Sequence, residues 1–329
     1  MLAQVPASDI PPDVRTILSR DLKFSAAELA DLALGKVVKH GIETTAAGEV
    51  AVAGAVRVKA PKAAFLERVR DIERFKRSPN VLQIGRFSIP PSLDDISTLT
   101  VDKADFDVLA CRVGDCPVRL PADLIRRFQQ EIDPKAPDAQ ARGAALFKHL
   151  LIDDVKAYVT GQSGRMLQYD DGSRPIRPVD EFASLLANSP SFSTLVPELP
   201  DHLLHFPTSR LHNAEDFLYW SKEKFASEPF ITVTHVTIVC PAPATCVTTT
   251  KDVYSSRYLD ASLALAIASD AVNTPGSFYL LYANRTRANA LKGGFSAFRR
   301  SVVQRRARGR LEESLTAIKL QLERARSGP

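Results

Sequence analysis

The strongest strand signal in the chain is FITVTHVTIV, residues 230–239, a stretch made almost entirely of β-branched residues. Three similar stretches follow it: CVTTTKDVYSSRYL at 246–259, LALAIA at 263–268 and FYLLYAN at 278–284. The links between them contain proline and glycine, at Pro241, Pro243, Pro275 and Gly276, which suits antiparallel neighbours. The last hundred residues therefore predict an antiparallel sheet.

A long amphipathic helix is predicted after this sheet. Its apolar stripe is formed by Phe295, Phe298, Val302, Leu311, Leu315, Ile318 and Leu322. Arginines fill much of the rest, but Glu312 and Glu313 share the helix and no aromatic residues alternate with the arginines. This pattern favours a solvated helix face, with peripheral membrane contact as an alternative, and argues against nucleic-acid binding.

N-terminal to this sheet, the sequence predicts further helices and strands. Ser25 and Glu28 form a capping box for a helix that continues to about His40, and the residues from 49 to 59 alternate as a strand. A helix is expected at 61–75, strands at 81–89 and 96–111, and helices between 120 and 228, the last at 213–225.

These elements divide the chain into three segments. They are an N-terminal extension with a helix (1–45), a core (46–110 and 228–329) and a helical insertion or lid (111–227).

Two stretches carry a resemblance to a known superfamily. VRVKAP at 56–61 leads into FLERVRDI at 65–72, and FYLLY at 278–282 leads into the helix that begins at Phe295. The chain thereby resembles the START-like (SRPBCC, polyketide cyclase-like) helix-grip superfamily, with a long helical insertion. The resemblance implies an α+β fold in which a curved antiparallel sheet wraps a C-terminal helix. It also implies a cavity between the two for a lipid, a sterol-like or an aromatic molecule.

Composition and cysteine spacing bear on the compartment. The 45% hydrophobic and 25% charged fractions and the net charge of +5 are ordinary for a globular chain. Cys111 and Cys116 form one close pair and Cys240 and Cys246 another, so two local disulfides are predicted, with free thiols or a metal site as alternatives. The first residues have neither the basic nor the apolar region of a signal peptide, which suits either a cytoplasmic protein or an exported one whose signal peptide has been removed. The cysteine pairs favour the second interpretation, a periplasmic or secreted protein.

Candidate ligand-binding residues follow from the expected cavity. They are His235, Tyr254, Arg257, Leu281, Tyr282, Phe295, Phe298 and Val302. His235 and a tyrosine would provide polar anchors, Arg257 a partner for an acidic group, and the others apolar walls. No dinucleotide fingerprint, P-loop or nucleophile elbow is present, so no catalytic residue is assigned and no cofactor is expected.

The histidines His202 and His205 have a spacing that could hold a metal, but Pro207 follows them and no glutamate lies between them, so no metal is predicted. The preferred function is binding or transport of an apolar small molecule, and the chain is not expected to be an enzyme. One alternative is an enzyme (a cyclase, lyase or hydrolase) that uses the same cavity, with His235 and a tyrosine as the acid–base pair. A second is a protein-interaction module with a filled core. Nothing in the sequence indicates the oligomeric state.

Overall fold

The computed structural model describes residues 9–103, 105, 107, 110–162, 168–225, 228–292 and 296–326. One curved, fully antiparallel sheet of eight strands forms its centre, in the order β1-β2-β8-β7-β6-β5-β4-β3. The strands are β1 (Val38–Ile42), β2 (Glu49–Val58), β3 (Val81–Arg86), β4 (Glu215–Phe225), β5 (Glu228–Ala242), β6 (Thr245–Ser255), β7 (Ala261–Asp270) and β8 (Phe278–Arg287). The second strand of the chain therefore pairs with the last one.

Helices precede, interrupt and follow the sheet. They are α1 (Pro12–Thr16), α2 (Ala26–Ala33), α3 (Lys62–Arg70), α4 (Ile72–Phe75), α5 (Ala122–Glu131), α6 (Ala139–Thr160), α7 (Pro178–Ala187), α8 (Ser191–Leu195), α9 (Leu199–His205) and α10 (Ser296–Arg326). The α+β class, the single curved antiparallel sheet and the long C-terminal helix are confirmed. This architecture is compatible with a helix-grip fold.

The sheet is covered on both faces, and the strand period of two separates them. Leu280 of β8 packs with Leu311 and Leu315 of α10, so this side is called the helix face. Leu281 points to the opposite side and packs with Phe182 and Leu185 of α7; this side is called the insertion face. Helices α3 and α4 also lie on the helix face, whereas the N-terminal segment and the helices between residues 120 and 205 lie on the insertion face.

This arrangement bears on the expected lid. The residues of α5, α6, α7 and α9 that pack on the sheet contact side chains of the insertion face, such as Trp220, Val233 and Leu265. They therefore do not cover the space between the sheet and α10. That space is bordered instead by α3, α4 and α10 themselves.

Three sequence-based element assignments were wrong. Residues 215–225 form the strand β4 and not a helix, because Phe217 and Tyr219 are buried on one face and Leu218 and Trp220 on the other. The predicted strand at 96–111 is absent among its described residues, which begin in a 3-10 turn at Leu93–Ile96. The first capped helix has its predicted capping box but ends at Ala33, because Gly35 takes a left-handed φ of 82° and β1 follows.

The cysteine prediction is confirmed. Cys111 is bonded to Cys116, and Cys240 at the end of β5 is bonded to Cys246 at the start of β6. Two disulfides are compatible with an oxidising compartment. Among the residues that the structure describes, no helix has both the length and the apolar content needed to cross a membrane.

Candidate functional site

The predicted ligand-binding residues do not line one pocket. His235, Tyr254 and Leu281 are buried on the insertion face, whereas Tyr282 lies on the helix face. Arg257 follows β6 and donates hydrogen bonds to the Glu228 carboxylate and to the Asp105 carbonyl oxygen. The two faces are separated by the sheet itself, so the predicted set is divided between two sites.

The predictions on the terminal helix have mixed positions. Phe298 is 71% exposed and contributes nothing to an interior wall. Val302 is partly buried on α10, and Phe295 lies outside the described residues. The helix instead presents Ala307, Leu311 and Leu315 to the sheet.

On the helix face, two side chains in the middle of the sheet are incompletely covered. Helix α10 packs on β1 and β2, and α3 packs on β7, so the helix-face side chains of the central strands are not fully covered. Ala266 of β7 and Tyr282 of β8 are only partly buried although both lie on interior strands. Phe75, Ile84 and Ala307 are partly buried against the same apolar cluster, and together with Ala266 and Tyr282 they form an apolar wall. We refer to the space that they line as the helix-face crevice.

A charged cluster forms the polar side of the crevice. Lys76, which directly follows α4, donates hydrogen bonds from Nζ to Glu223 Oε1 at 2.6 Å and to the Tyr219 hydroxyl at 3.1 Å. Although burial opposes its charged form, Tyr219 and Glu223 raise the pKa of Lys76 above its ordinary value. Burial likewise opposes ionisation of Glu223, yet Lys76 lowers the pKa of this carboxyl. The pair is therefore a lysinium and a carboxylate held together inside the fold.

A second polar group lies on the neighbouring strand. Asp252 of β6 accepts a hydrogen bond from Thr234 Oγ1 at 3.0 Å. Burial raises the pKa of Asp252 to about 6, and burial also raises the pKa of Tyr282 to about 12. Both side chains nevertheless retain solvent exposure. They are thus surrounded by protein and still reached by water, as expected for the lining of an interior crevice.

The crevice has the chemistry of a small-molecule site. An apolar wall with a few convergent polar groups is the usual composition of such a site in proteins. Lys76 and Glu223 neutralise each other, and burial raises the pKa of Asp252 to about 6, so this carboxyl is protonated below that pH and ionised above it. The polar groups can donate to or accept from a hydroxyl or amide on a bound molecule.

Sequence analysis missed most of these polar residues. Lys76 and Glu223 were not identified from the sequence, and Glu223 lay in a segment that had been assigned to a helix. Asp252 had a signal that could have been used: an aspartate on the same alternating face as Thr248 and Thr250 in an otherwise β-branched strand. A carboxyl at that position must face an interior if the strand lies in the middle of a sheet.

His235 has a different environment from the one expected. Its Nδ1 lies 2.9 Å from the Tyr158 hydroxyl and its Nε2 lies 2.9 Å from Asp216 Oδ1. Tyr158 belongs to the insertion, so the tyrosine beside His235 is neither Tyr254 nor Tyr282. Burial lowers the pKa of His235 below its ordinary value, and the Asp216 carboxylate opposes this effect. Tyr254 is buried nearby on the same face, and its hydroxyl donates to the Arg119 carbonyl oxygen.

Comparison with known proteins gives no match. No protein-family model matches the sequence, and the searches of curated proteins and of solved structures likewise give no match.

Proposed function

We propose that the chain binds or transports an apolar small molecule in the helix-face crevice. The observation that carries the proposal is the partial exposure of Ala266 and Tyr282 on the helix face of central strands. A side chain in the middle of an eight-stranded sheet stays accessible only if the covering helices leave space above it. A ligand would fill that space and gain about 25 cal/mol for each Å² of apolar surface buried.

The polar side of the crevice indicates the kind of molecule. Lys76, Glu223 and Asp252 offer hydrogen-bonding groups, and the charges of Lys76 and Glu223 neutralise each other. A neutral molecule with an apolar body and one hydroxyl or amide group would satisfy both sides. A strongly charged ligand would have to compete with the Lys76–Glu223 ion pair.

The proposal includes a location in the cell. The two disulfides are compatible with an oxidising compartment. We therefore place the function in the periplasm or outside the cell, with the chain maturing by removal of a signal peptide.

The first test is native mass spectrometry of freshly purified protein, followed by organic extraction and identification of any released molecule. The second uses the uncharged fluorescent probe Nile red with two matched variants. Ala266→Phe places a ring in the crevice, whereas Val272→Phe adds the same ring at a side chain that is 56% exposed. We expect Ala266→Phe to weaken Nile red binding at least about tenfold and Val272→Phe to leave it unchanged.

The outcomes separate clearly once circular dichroism shows that both variants are folded. Loss of the extracted molecule and of Nile red binding in Ala266→Phe alone supports the crevice as the site. Equal binding in both variants, or no extracted molecule together with no Nile red binding by the wild-type protein, overturns the proposal.

A further inference from the structure

Two histidines and one carboxylate meet on the insertion face, away from the helix-face crevice. His202 lies on α9, Asp216 on β4 and His235 on β5. Asp216 Oδ1 is 3.0 Å from His202 Nε2 and 2.9 Å from His235 Nε2. Three elements that are far apart in the sequence therefore bring these three ligand-type atoms within 4.8 Å of one another.

A hydroxyl completes the cluster. Thr237 Oγ1 donates to Asp216 Oδ1 at 2.8 Å and lies 3.4 Å from His202 Nε2 and 3.5 Å from His235 Nε2. The strand pairing explains this position, because Asp216 is the direct cross-strand partner of Thr237. His235 stands two residues before Thr237 and so points to the same face. Asp216 Oδ1 thus lies within hydrogen-bonding distance of the other three polar atoms.

The contacts of His202 allow two arrangements of its ring hydrogen. Its Nδ1 lies 3.0 Å from the Ser209 carbonyl oxygen, which can only accept, and 3.3 Å from the Leu211 amide nitrogen, whose N–H donates to it. With the hydrogen on Nε2, the ring accepts from Leu211 and donates to Asp216. With the hydrogen on Nδ1, the ring donates to Ser209, and the Nε2 lone pair is directed toward Asp216 and available to a metal ion. A metal ion at this point would select the second arrangement.

We propose that His202, Asp216 and His235 bind a Zn²⁺ ion that fastens α9 to the sheet. Tetrahedral zinc with ligands at 2.0–2.2 Å separates its ligand atoms by about 3.3 Å. The contacts of Asp216 Oδ1 reach this spacing if they lengthen by a few tenths of an ångström, and the Nε2 atoms of the two histidines lie within 4.8 Å of each other. Thr237 Oγ1 or a water molecule occupies the fourth position. Because both histidines are completely buried, the site is structural and not catalytic.

Surrounding groups fit this assignment. The Tyr158 hydroxyl, 2.9 Å from His235 Nδ1, can accept its hydrogen and orient the ring toward the metal, as groups next to zinc ligands commonly do. The Asp216 side chain is 19% exposed and provides a route of entry for the ion. One charge opposes the ion: Lys251 is the cross-strand partner of His235, and its Nζ donates to the Leu203 carbonyl oxygen.

The test is the zinc content and affinity of the untagged full chain. Protein freed of metal with a chelator is reloaded with Zn²⁺, dialysed and analysed by mass spectrometry of the metal. We expect one equivalent of zinc in the wild-type protein and a rise in its melting temperature. Reloading with Co²⁺ should produce the visible absorption bands of a tetrahedral site.

Variants show whether zinc binds at this cluster or at other histidines. Asp216→Asn keeps the size of a partly exposed side chain and should weaken Zn²⁺ binding by about 100-fold or more, and Tyr158→Phe by about 10-fold to 100-fold. His205→Ala, on the same helix but 60% exposed and paired with Asp201, is the matched control and should bind zinc like the wild type. The variant His235→Gln removes a second proposed ligand. Because Co²⁺ spectra and dissociation constants are measured on folded protein, a loss of stability in this variant does not affect the result.

The opposite result has an equally definite meaning. If the wild-type chain holds no stoichiometric zinc after reloading, or if Asp216→Asn binds it as well as His205→Ala does, the proposal is wrong. The cluster is then a buried hydrogen-bond network of two histidines and a carboxylate.

Discussion

Gly54 of β2 lies directly beneath Leu315 of α10, so closely that a Cβ atom built on the glycine would be 2.9 Å from Leu315 Cδ1. The same Cβ would lie 3.0 Å from the Val38 carbonyl oxygen of β1. The leucine end can move, but the backbone oxygen of a paired strand cannot do so without disturbing the sheet. The absence of a side chain at Gly54 therefore allows the terminal helix to rest on the sheet.

The first prediction concerns this contact. Gly54→Ala should destabilise the protein by about 1–3 kcal/mol, because overpacking displaces α10 or the β1–β2 pair. Urea unfolding followed by circular dichroism measures the change. Gly172→Ala is the control, since a Cβ there meets nothing within 4 Å. Equal stability of the two variants would mean that the helix is not seated on Gly54.

A second glycine on the terminal helix should behave in the opposite way. Gly309 lies inside α10, and a Cβ built on it has no neighbour within 4 Å. Gly309→Ala should raise the free energy of unfolding by about 0.5–1 kcal/mol, because alanine restricts the unfolded chain and favours the helix. Thermal unfolding of the single variant is sufficient, and a lower melting temperature would contradict the prediction.

The third prediction concerns pH. Burial raises the pKa of Asp252 from 3.8 to about 6 in the folded state, so the folded chain holds a proton that the unfolded chain releases. The contribution of Asp252 to stability should therefore fall as pH rises from about 4 to 6, by about 1–3 kcal/mol, and remain unfavourable above pH 6. Asp252→Asn removes this dependence and should be the more stable protein at pH 7. Chemical unfolding of both proteins at several pH values measures how the free energy of unfolding depends on pH. If this dependence is the same in both proteins, the pKa of Asp252 is not raised.

The fourth prediction concerns the disulfide between β5 and β6. Replacement of Cys240 and Cys246 by serine opens a short loop and should lower the free energy of unfolding by about 2 kcal/mol. The strands remain paired on both sides of the link, with a register shift between Val239 and Ala242, so the fold should persist. The double variant should show a lower urea midpoint with an unchanged circular dichroism spectrum. An unchanged urea midpoint would contradict the prediction.

Much of the sheet could be predicted from the sequence. The strands β5 to β8 are long and β-branched or aromatic, and short turns join them, so local patterns suffice to identify them. Strand β4 was missed because apolar residues such as Leu218 and Tyr219 are buried on both faces, which removes the alternation that marks a strand. A pattern of apolar and polar residues cannot show a segment buried on both sides.

The candidate sites were harder to predict than the fold. The crevice joins Lys76, Glu223 and Asp252, and the histidine cluster joins His202, Asp216 and His235, so each depends on contacts between distant segments. His235 was predicted from the sequence as a ligand-binding residue, but which face it occupies depends on the register of the strand. A shift of one residue would place it on the opposite face.

The pairing of β2 with β8 has a consequence for how the chain is made. Glu49 is paired with Arg287 and Val58 with Phe278, so a strand synthesised early finds its partner only near the end of translation. Contacts of such long sequence separation slow folding. Until the last quarter of the chain has left the ribosome, the apolar side chains of β2 have no β8 to cover them, and the nascent chain is exposed to aggregation. We therefore expect efficient production of this protein to depend on a chaperone that holds the early segments until β8 arrives.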